Sequence, residues 1–363
     1  MVQRHKITII YPEGSQMILH RNKRSRWFQK NAGKKRIVFI LLILLNACSC
    51  QPKRGLTDKL PLPYPNSSFS VSSGVLIHYR TWPVAEDQRK GSVLFLHGFS
   101  GSTFSWETTA PALQAEGFEV IALDIPPFGF SDKSPTVNAS VTARAELMLQ
   151  WLGENFPGRE WHLAGHSMGA GIVQAMALMQ PEKAASVIIV AGAIFNEVKP
   201  GERQSKSLLR FGPVQAIVGN LAETHFITRR RIVKLLESAY GSKPGGEAIE
   251  AYYRALKIPG TARAMLASSN NSHEIETLNA VNLEKPVFAI WGENDTWVPL
   301  TSRQKVLDQM PNVTLDTIPD SGHNPMETHP EEFNKRLLDF LLKVSEKGPS
   351  NTLPTRREGK NIW

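Results

Sequence analysis

The chain has 363 residues, of which 41% are apolar and 21% charged, enough to bury the core of one large domain. This composition excludes a disordered chain, a fibrous protein and a membrane protein with many spans. Residues 1–36 carry the net charge of +9, with ten Lys and Arg against one acid, and the other 32 basic and 32 acidic residues cancel. The globular part is therefore neutral, so the pI of 9.5 does not support nucleic acid as a partner.

An apolar stretch at 37–45 follows the basic segment. Its nine residues are too few to cross a bilayer as a helix, which takes about 20 residues. A short apolar stretch behind a cationic region is typical of a secretory signal peptide, and we interpret residues 1–47 in this way. An uncleaved membrane anchor and a buried apolar segment are the alternatives. The length of the basic region makes Met17 an alternative start.

The two cysteines of the chain, Cys48 and Cys50, come directly after this stretch. The segment Leu45-Asn46-Ala47-Cys48 resembles the lipobox of bacterial lipoproteins. The resemblance implies that Cys48 is lipidated, becomes the mature N-terminus and holds an exported protein at a membrane of the cell envelope. With both cysteines at this end, no disulfide or thiolate metal site is expected in the fold. Residues 48–68, rich in proline and paired serines, are predicted to form an extended tether.

From residue 69 onward, short apolar runs alternate with stretches of helical period. The predicted strands are 75–80, 92–96, 120–123, 161–164, 186–190, 287–290 and 313–318. The predicted helices are 106–115, 141–156, 169–179, 302–309 and 331–344. This alternation predicts an α/β fold with a mostly parallel, doubly wound sheet. Its core would comprise 69–195 and 281–345, followed by a polar tail at 346–363.

The alternation stops between residues 196 and 280. Helical patterns there cover 232–240, 248–255 and 261–268, with glycine and proline between them. More than 80 residues without a core-type strand are too many for a crossover connection. We therefore predict a helical cap at 196–280, inserted over the carboxyl ends of the strands, where open α/β sheets bind ligands.

The pentapeptide Gly165-His166-Ser167-Met168-Gly169 lies between a predicted strand and a predicted helix. This strand–turn–helix setting is the one that a nucleophile elbow requires, with glycines that let neighbouring backbones approach. The turn would expose the Ser167 hydroxyl at a helix N-terminus, which favours developing negative charge. Ser167 is the predicted nucleophile, and a glycine-rich turn with an incidental serine is the alternative.

A serine nucleophile needs a base, and the base needs an acid that orients it. Asp295 ends a turn after the strand at 287–290, and His323 ends a loop after the strand at 313–318. Both follow the carboxyl ends of strands, on the edge of the sheet that carries Ser167. His323 is the predicted base and Asp295 the predicted acid. Glu293 and Asp320 are the competing carboxylates, and we expect Asp320 to fix the histidine loop.

The oxyanion of an acyl-transfer reaction requires two preorganised donors. The backbone N–H groups of Met168 and Phe99 are predicted to supply them, the latter from the turn His97-Gly98-Phe99-Ser100-Gly101. We expect His97 to support that turn and His166 to pack inside the elbow. His162 falls in a strand. The remaining histidines considered are predicted to be surface or cap residues: His78, His225, His273 and His329.

Together these motifs resemble the α/β-hydrolase superfamily over residues 69–345. The segment 124–132 resembles the one after the fourth strand in the cap-bearing branch of that family, and Gly322-His323 with Glu327 and Pro330 resembles its histidine segment. The order of serine, acid and histidine along the chain is also that of the family. Epoxide hydrolases and haloalkane dehalogenases carry aspartate in the elbow, so Ser167 argues against both.

The leading prediction is hydrolysis of a small-molecule or lipid carboxylic ester through an acyl-enzyme on Ser167, with His323 and Asp295. Carbon–carbon-bond hydrolases and cofactor-free haloperoxidases or perhydrolases share this triad and are alternatives. A non-catalytic ligand-binding protein on a hydrolase scaffold is an alternative of a different class. No metal or organic cofactor is predicted, since no cluster of His, Asp and Glu has ligand spacing.

Overall fold

The structure, a computed structural model, describes residues 6–10, 16–20, 62–134, 137–194, 227–271 and 278–346. Contacts divide the chain into two units, Met1–Leu56 and Thr57–Trp363. In the first unit, β1 (Lys6–Ile10) pairs antiparallel with β2 (Gln16–His20), a hairpin that the signal-peptide interpretation did not anticipate. The apolar stretch at 37–45 and Cys48, on which that interpretation depends, lie outside the described residues.

The second unit is organised around one eight-stranded sheet. Its strands are β3 (Ser67–Ser72), β4 (Val75–Trp82), β5 (Gly91–Leu96), β6 (Phe118–Leu123), β7 (Trp161–His166), β8 (Ala184–Val190), β9 (Val287–Gly292) and β10 (Val313–Ile318). Their order in space is β10-β9-β8-β7-β5-β6-β4-β3. The pairs β3–β4 and β4–β6 are antiparallel and the others parallel, which confirms the predicted sheet. β3 begins at Ser67, two residues inside the predicted tether, because it pairs along β4.

In the part of the chain that the structure describes, helices follow most strands and three lie between β8 and β9. The described α-helices are α1 (Thr109–Ala115), α2 (Val141–Asn155), α3 (Met168–Met179), α4 (Arg229–Tyr240), α5 (Gly246–Leu256), α6 (Thr261–Asn271), α7 (Gln304–Leu307), α8 (Pro325–Thr328) and α9 (Pro330–Glu346). Of these, α4, α5 and α6 lie between β8 and β9. Within the described residues, no helix is both long and apolar enough to cross a membrane.

The sheet is buried on both faces. Along β5, Leu94 and Leu96 belong to a core cluster shared with α2 and α3, while Val93 and Phe95 belong to a second cluster shared with α1 and α9. Successive side chains of a strand point to opposite faces, so an unbroken apolar run is what a strand between two helical layers requires. The continuous apolar runs of the sequence have this cause.

Two predicted helices are shorter in the structure. The one predicted at 106–115 begins at Thr109, after a 3₁₀ turn at Thr103–Trp106. A helix from residue 106 would need an N–H at Pro111 to bond the Glu107 carbonyl, and proline has none. The one predicted at 302–309 covers Gln304–Leu307, because the Gln309 and Met310 amides bond carbonyls three residues back, as in a 3₁₀ turn.

The predicted cap contains α4, α5 and α6. Apolar side chains of α4 and α5 form a separate small core with Phe104 of the main domain: Ile232, Leu236, Ala239, Tyr240, Ala251, Tyr252 and Leu256. Residues 195–226 and 272–277, which belong almost entirely to the predicted cap, lie outside the described part of the chain.

Candidate active site

Ser167 occupies a strained turn between β7 and α3. Its backbone has φ 51° and ψ −110°, a conformation that costs energy for any residue with a side chain. The Ser167 N–H donates to the Val190 carbonyl at 2.9 Å, and its own carbonyl accepts the Ala193 N–H at 3.2 Å. These bonds fix the turn to the end of β8. The Ser167 side chain is half-buried at the carboxyl edge of the sheet.

The two glycines of the pentapeptide are required by close backbone contacts. A Cβ on Gly165 would lie 2.3 Å from the Gly169 carbonyl oxygen, and a Cβ on Gly169 would lie 2.5 Å from that of Leu96. Both distances are too short for any side chain. The spacing Gly-x-Ser-x-Gly is therefore the one this turn needs in order to pack against the end of β5.

Asp295 and His323 are buried and in contact. His323 Nδ1 lies 2.8 Å from Asp295 Oδ2. The other oxygen, Oδ1, accepts the backbone N–H groups of Trp297 at 2.8 Å and Val298 at 2.9 Å. A carboxylate can only accept, so the Nδ1 proton of His323 faces Asp295 in the neutral ring. This arrangement leaves Nε2 with a lone pair.

Ser167 lies beside this pair. His166, its neighbour in the chain, has its ring centroid 4.8 Å from that of His323 and donates from Nε2 to the His323 carbonyl at 2.9 Å. Within the described residues no hydrogen bond joins Ser167 to His323, and such bonds are often long in enzymes without substrate. The structure thus brings all three predicted residues to one edge, with two of them in direct contact.

The turn after β5 closes on the elbow. A Cβ on Gly98 would lie 3.2 Å from the Ser167 Cβ, and Ser100 has a positive φ of 61°. Among the described residues, neither the Phe99 N–H nor the Met168 N–H donates to an acceptor. Met168 is the first residue of α3, where helix N–H groups have no partner within the helix. Both predicted donors therefore lie close to Ser167 and keep their hydrogens available.

Two buried histidines hold the backbone around the site. His97 donates from Nδ1 to the Gly98 carbonyl at 2.7 Å, and its Nε2 accepts the Ile125 N–H at 2.9 Å. Burial lowers the pKa of His97, although the charge of Asp124 opposes this. Burial, followed by the charge of His323, lowers the pKa of His166 well below its ordinary value. His97 is bonded through both ring nitrogens and His166 through Nε2, so both rings support the turns.

The prediction that His78 lies on the surface is wrong. Its ring is fully buried between Asp124 Oδ2, 2.7 Å from Nδ1, and the Ser67 hydroxyl, 2.8 Å from Nε2. His162 is also buried and lies 2.8 Å from the Ser186 hydroxyl, and burial lowers its pKa to about 4. His329 is half-buried, and His225 and His273 lie outside the described residues.

The competing carboxylates point elsewhere. Glu293 is exposed and accepts the Thr317 hydroxyl at 3.0 Å. Asp320 is exposed with a positive φ of 57°, so it serves the loop through its backbone conformation and not through a contact with His323. No group of three or more His, Cys, Asp or Glu residues in the described ranges is placed to hold a metal ion.

One residue of the site carried no signal in the sequence. The indole of Trp297 stacks on the His323 ring, with centroids 5.4 Å apart and planes at 28°. Its side chain is 43% exposed, unusual for so large an apolar group. A tryptophan two residues after the acid has no pattern of its own, so only the fold reveals that it covers the histidine.

The fold and this arrangement agree with comparisons to known proteins. The family model for the α/β-hydrolase fold matches residues 91–330, and the chain belongs to this family. It is a hydrolase by family.

Two curated relatives and one solved structure illustrate the similarity. The chain is 27% identical to an uncharacterized hydrolase, YugF, of Bacillus subtilis (strain 168), over 76% of this chain and 98% of that protein. It is 24% identical to a 2-hydroxy-6-oxononadienedioate/2-hydroxy-6-oxononatrienedioate hydrolase of Pseudomonas putida, over 69% of this chain and 87% of that one. A serine hydrolase involved in carbazole degradation has a similar fold, with a TM-score of 0.61 and 21% identity over 76% of this chain and 98% of that one.

Proposed function

We propose that the chain is a serine hydrolase that cleaves carboxylic esters through an acyl-enzyme. Ser167 is the nucleophile, His323 the general base and Asp295 the acid that orients it. The observation that carries the proposal is the contact of Asp295 Oδ2 with His323 Nδ1, which leaves Nε2 as an acceptor beside a serine held at φ 51°.

In the first half of the reaction, Ser167 Oγ attacks the ester carbonyl carbon and its proton passes to His323 Nε2. The carbonyl oxygen becomes an oxyanion that accepts the N–H groups of Phe99 and Met168. The intermediate collapses, the carbon–oxygen bond of the leaving alcohol breaks, and His323 returns the proton to that alcohol.

In the second half, water attacks the acyl-enzyme while His323 accepts one of its protons. Collapse of the second intermediate releases the carboxylic acid and returns the proton to Ser167. The charge of Asp295 stabilises the imidazolium that forms in each half. Water is the only co-reactant, so the residues named account for every proton moved.

Turnover of a short p-nitrophenyl ester tests this proposal. Ser167→Ala removes the nucleophile, and we expect kcat to fall by about 10⁴-fold or more, as in other triads. Ser186→Ala, a change of the same kind on β8 beside His162, should keep kcat within a few fold. Undiminished turnover by Ser167→Ala would overturn the assignment.

Hydrolysis of carbon–carbon bonds is the second candidate, favoured by the name of the Pseudomonas putida relative. Such a reaction can use the same serine, base and acid. A panel with esters of graded acyl length and a vinylogous 1,5-diketone acid separates the two, since the better substrate has the higher kcat/KM.

We further propose that the protein is exported and held at a membrane of the cell envelope by a lipid on Cys48. The support is in the sequence alone: ten basic residues, a short apolar stretch and a lipobox-like end precede a neutral domain. Such a tether would bring the site close to lipid or acyl esters.

A further inference from the structure

The C-terminal turn of the cap helix α4 contacts the loops that carry the acid and the base. We call residues Ser238, Ala239 and Tyr240 the cap turn. The Ser238 hydroxyl accepts from Trp297 Nε1 at 3.0 Å, and the Ala239 carbonyl accepts the His323 N–H at 2.6 Å. The Tyr240 hydroxyl donates to Glu327. Three consecutive residues of one helix therefore each bond a different part of the site.

The first contact acts on the acid side. The Trp297 N–H donates to Asp295 Oδ1, and its indole stacks on His323, so this residue touches both members of the pair. The indole is 43% exposed, so packing covers only part of it. The bond from its Nε1 to Ser238 adds a constraint on its orientation from the cap.

The second contact acts on the backbone of the base. The last carbonyls of a helix have no partner within the helix, and the His323 N–H satisfies the one at Ala239. Gly322 makes this approach possible, because a Cβ there would lie 2.5 Å from the Ala239 oxygen and 2.6 Å from the Tyr240 oxygen. The glycine before the histidine is thus required by the cap helix.

The third contact lies four residues beyond the base. Besides the Tyr240 hydroxyl, Glu327 accepts the Tyr252 hydroxyl of α5 at 2.8 Å and Asn324 Nδ2 at 3.0 Å. Burial, followed by the charge of Glu327, raises the pKa of both tyrosines. They therefore remain protonated donors, and the loop from His323 to Glu327 is held to two cap helices.

We propose that the cap turn is a positioning device that holds His323 and Trp297, so that the cap determines the orientation of the base as well as covering the substrate. The inference rests on the proposed role of His323 as the base. It assigns Ser238 and Tyr240 as positioning residues, since neither touches Ser167 or Asp295. Loss of their bonds leaves the triad chemically complete and loosens its geometry.

The test is the double variant Ser238→Ala/Tyr240→Phe in the full chain. It deletes two hydroxyls, and Glu327 keeps the donors Tyr252 and Asn324, so no buried charge is left unpaired. Misplacement of a catalytic group by about 1 Å can cost 100-fold in rate. We expect kcat for a p-nitrophenyl ester to fall by about 10- to 100-fold with KM within twofold.

Tyr253→Phe is the matched control. It removes a hydroxyl from the neighbouring residue of α5, whose ring lies 4.1 Å from the Arg229 guanidinium carbon and whose hydroxyl is not among the hydrogen-bond donors to Glu327 in the described residues. This variant should keep wild-type kcat and KM. Ser238→Thr with Tyr240 unchanged retains both hydroxyls, and it should have the kcat of the wild type. Values of kcat within twofold of wild type in the double variant, or a rise in KM alone, would overturn the proposal.

A proton NMR measurement separates this inference from the proposed function. The hydrogen of His323 Nδ1, shared with Asp295, gives a low-field resonance whether or not the protein turns over an ester. We expect this resonance to broaden through faster exchange with water in the double variant and to remain sharp in Tyr253→Phe. An unchanged resonance would overturn the inference, while absence of turnover in the wild type would overturn the proposed function.

Discussion

Asp295 divides its two oxygens between the backbone and the base. Oδ1 accepts two backbone N–H groups, from Trp297 and Val298, and Oδ2 faces His323 Nδ1. The backbone bonds fix the side-chain rotamer, so the oxygen that meets the ring is not free to turn away. The neutral ring is consequently held in the tautomer whose Nε2 can accept a proton from serine.

Asp295→Asn tests this division of tasks. The two backbone N–H groups require an acceptor, so the amide oxygen takes the place of Oδ1 and the amide NH₂ faces the ring. His323 would then carry its proton on Nε2 and could not accept the one from Ser167. We expect kcat to fall by about 10⁴-fold with little change in KM, measured with the same ester.

Glu293→Gln is the control for this substitution. Glu293 is two residues from Asp295, exposed, and bonded to Thr317 of β10. Its variant should retain kcat within twofold. A large loss in Glu293→Gln together with normal turnover in Asp295→Asn would exchange the roles of the two carboxylates.

At the scale of elements, the same three residue types meet a second time, between β3, β4 and the end of β6. The Ser67 hydroxyl contacts His78 Nε2, and His78 Nδ1 contacts Asp124 Oδ2. Ser67 is 6% exposed and also accepts the Tyr64 N–H. This chain of contacts joins three elements inside the core, and its serine lacks the strained backbone and partial exposure that distinguish Ser167.

Asp124 is the centre of that junction. It also accepts the backbone N–H groups of Thr103 at 2.6 Å and Phe130 at 2.7 Å. Burial opposes its ionisation, but the charge and hydrogen bond of His78, then His97 and the Phe130 N–H, lower the pKa of this carboxyl below 3.8. A depressed carboxyl pKa stabilises the fold above the unfolded pKa, and this stabilisation is lost as the pH falls through the folded pKa.

Asp124→Asn should therefore lower the free energy of unfolding by about 3–5 kcal/mol at pH 7, since it leaves a donor facing a donor in the core. The difference in the free energy of unfolding between variant and wild type should shrink once the pH falls below 3.8, because the wild-type carboxyl then becomes protonated and loses its charge. Urea unfolding at pH 7 and at a pH below 3.8 measures this difference. Asp87→Asn, at an exposed position, should change stability by less than about 0.5 kcal/mol, and an equal loss in the two variants would contradict this role of Asp124.

The elements themselves could be predicted from local sequence. Apolar runs located the strands because each is buried on both faces, and the glycine pair located the elbow because the backbones there nearly touch. The burial of His78 could not be predicted, since its partner Asp124 is far along the chain. The contact of the cap turn with His323 joins residues more than 80 positions apart, and neither segment carries a pattern that names the other.

At the scale of the whole molecule, charge is separated along the chain. The first 36 residues hold the entire net charge of +9, and the rest is neutral. A cationic end before a short apolar stretch is typical of a segment that directs export and attachment to a membrane. A domain without net charge has no excess of positive charge to attract nucleic acid. The proposed anchor and the proposed enzyme are thus separate parts, and each can be tested without the other.

Cys48→Ala tests the anchor. Stable attachment takes two or more acyl chains, so loss of the lipidated cysteine should move the protein from the membrane fraction to the soluble fraction of the expressing cells. Cys50→Ala is the matched control and should stay in the membrane fraction. Retention of Cys48→Ala at the membrane would instead support an uncleaved apolar anchor.

The role of Ser167 as nucleophile is tested most directly by reaction with a fluorophosphonate probe, followed by mapping of the modified peptide by mass spectrometry. We expect rapid, stoichiometric labelling at Ser167, abolished by Ser167→Ala and strongly slowed by Asp295→Asn, with no label on Ser67 in the second Ser–His–Asp contact. Labelling that persists in Ser167→Ala, or a wild-type protein that does not react, would contradict this role.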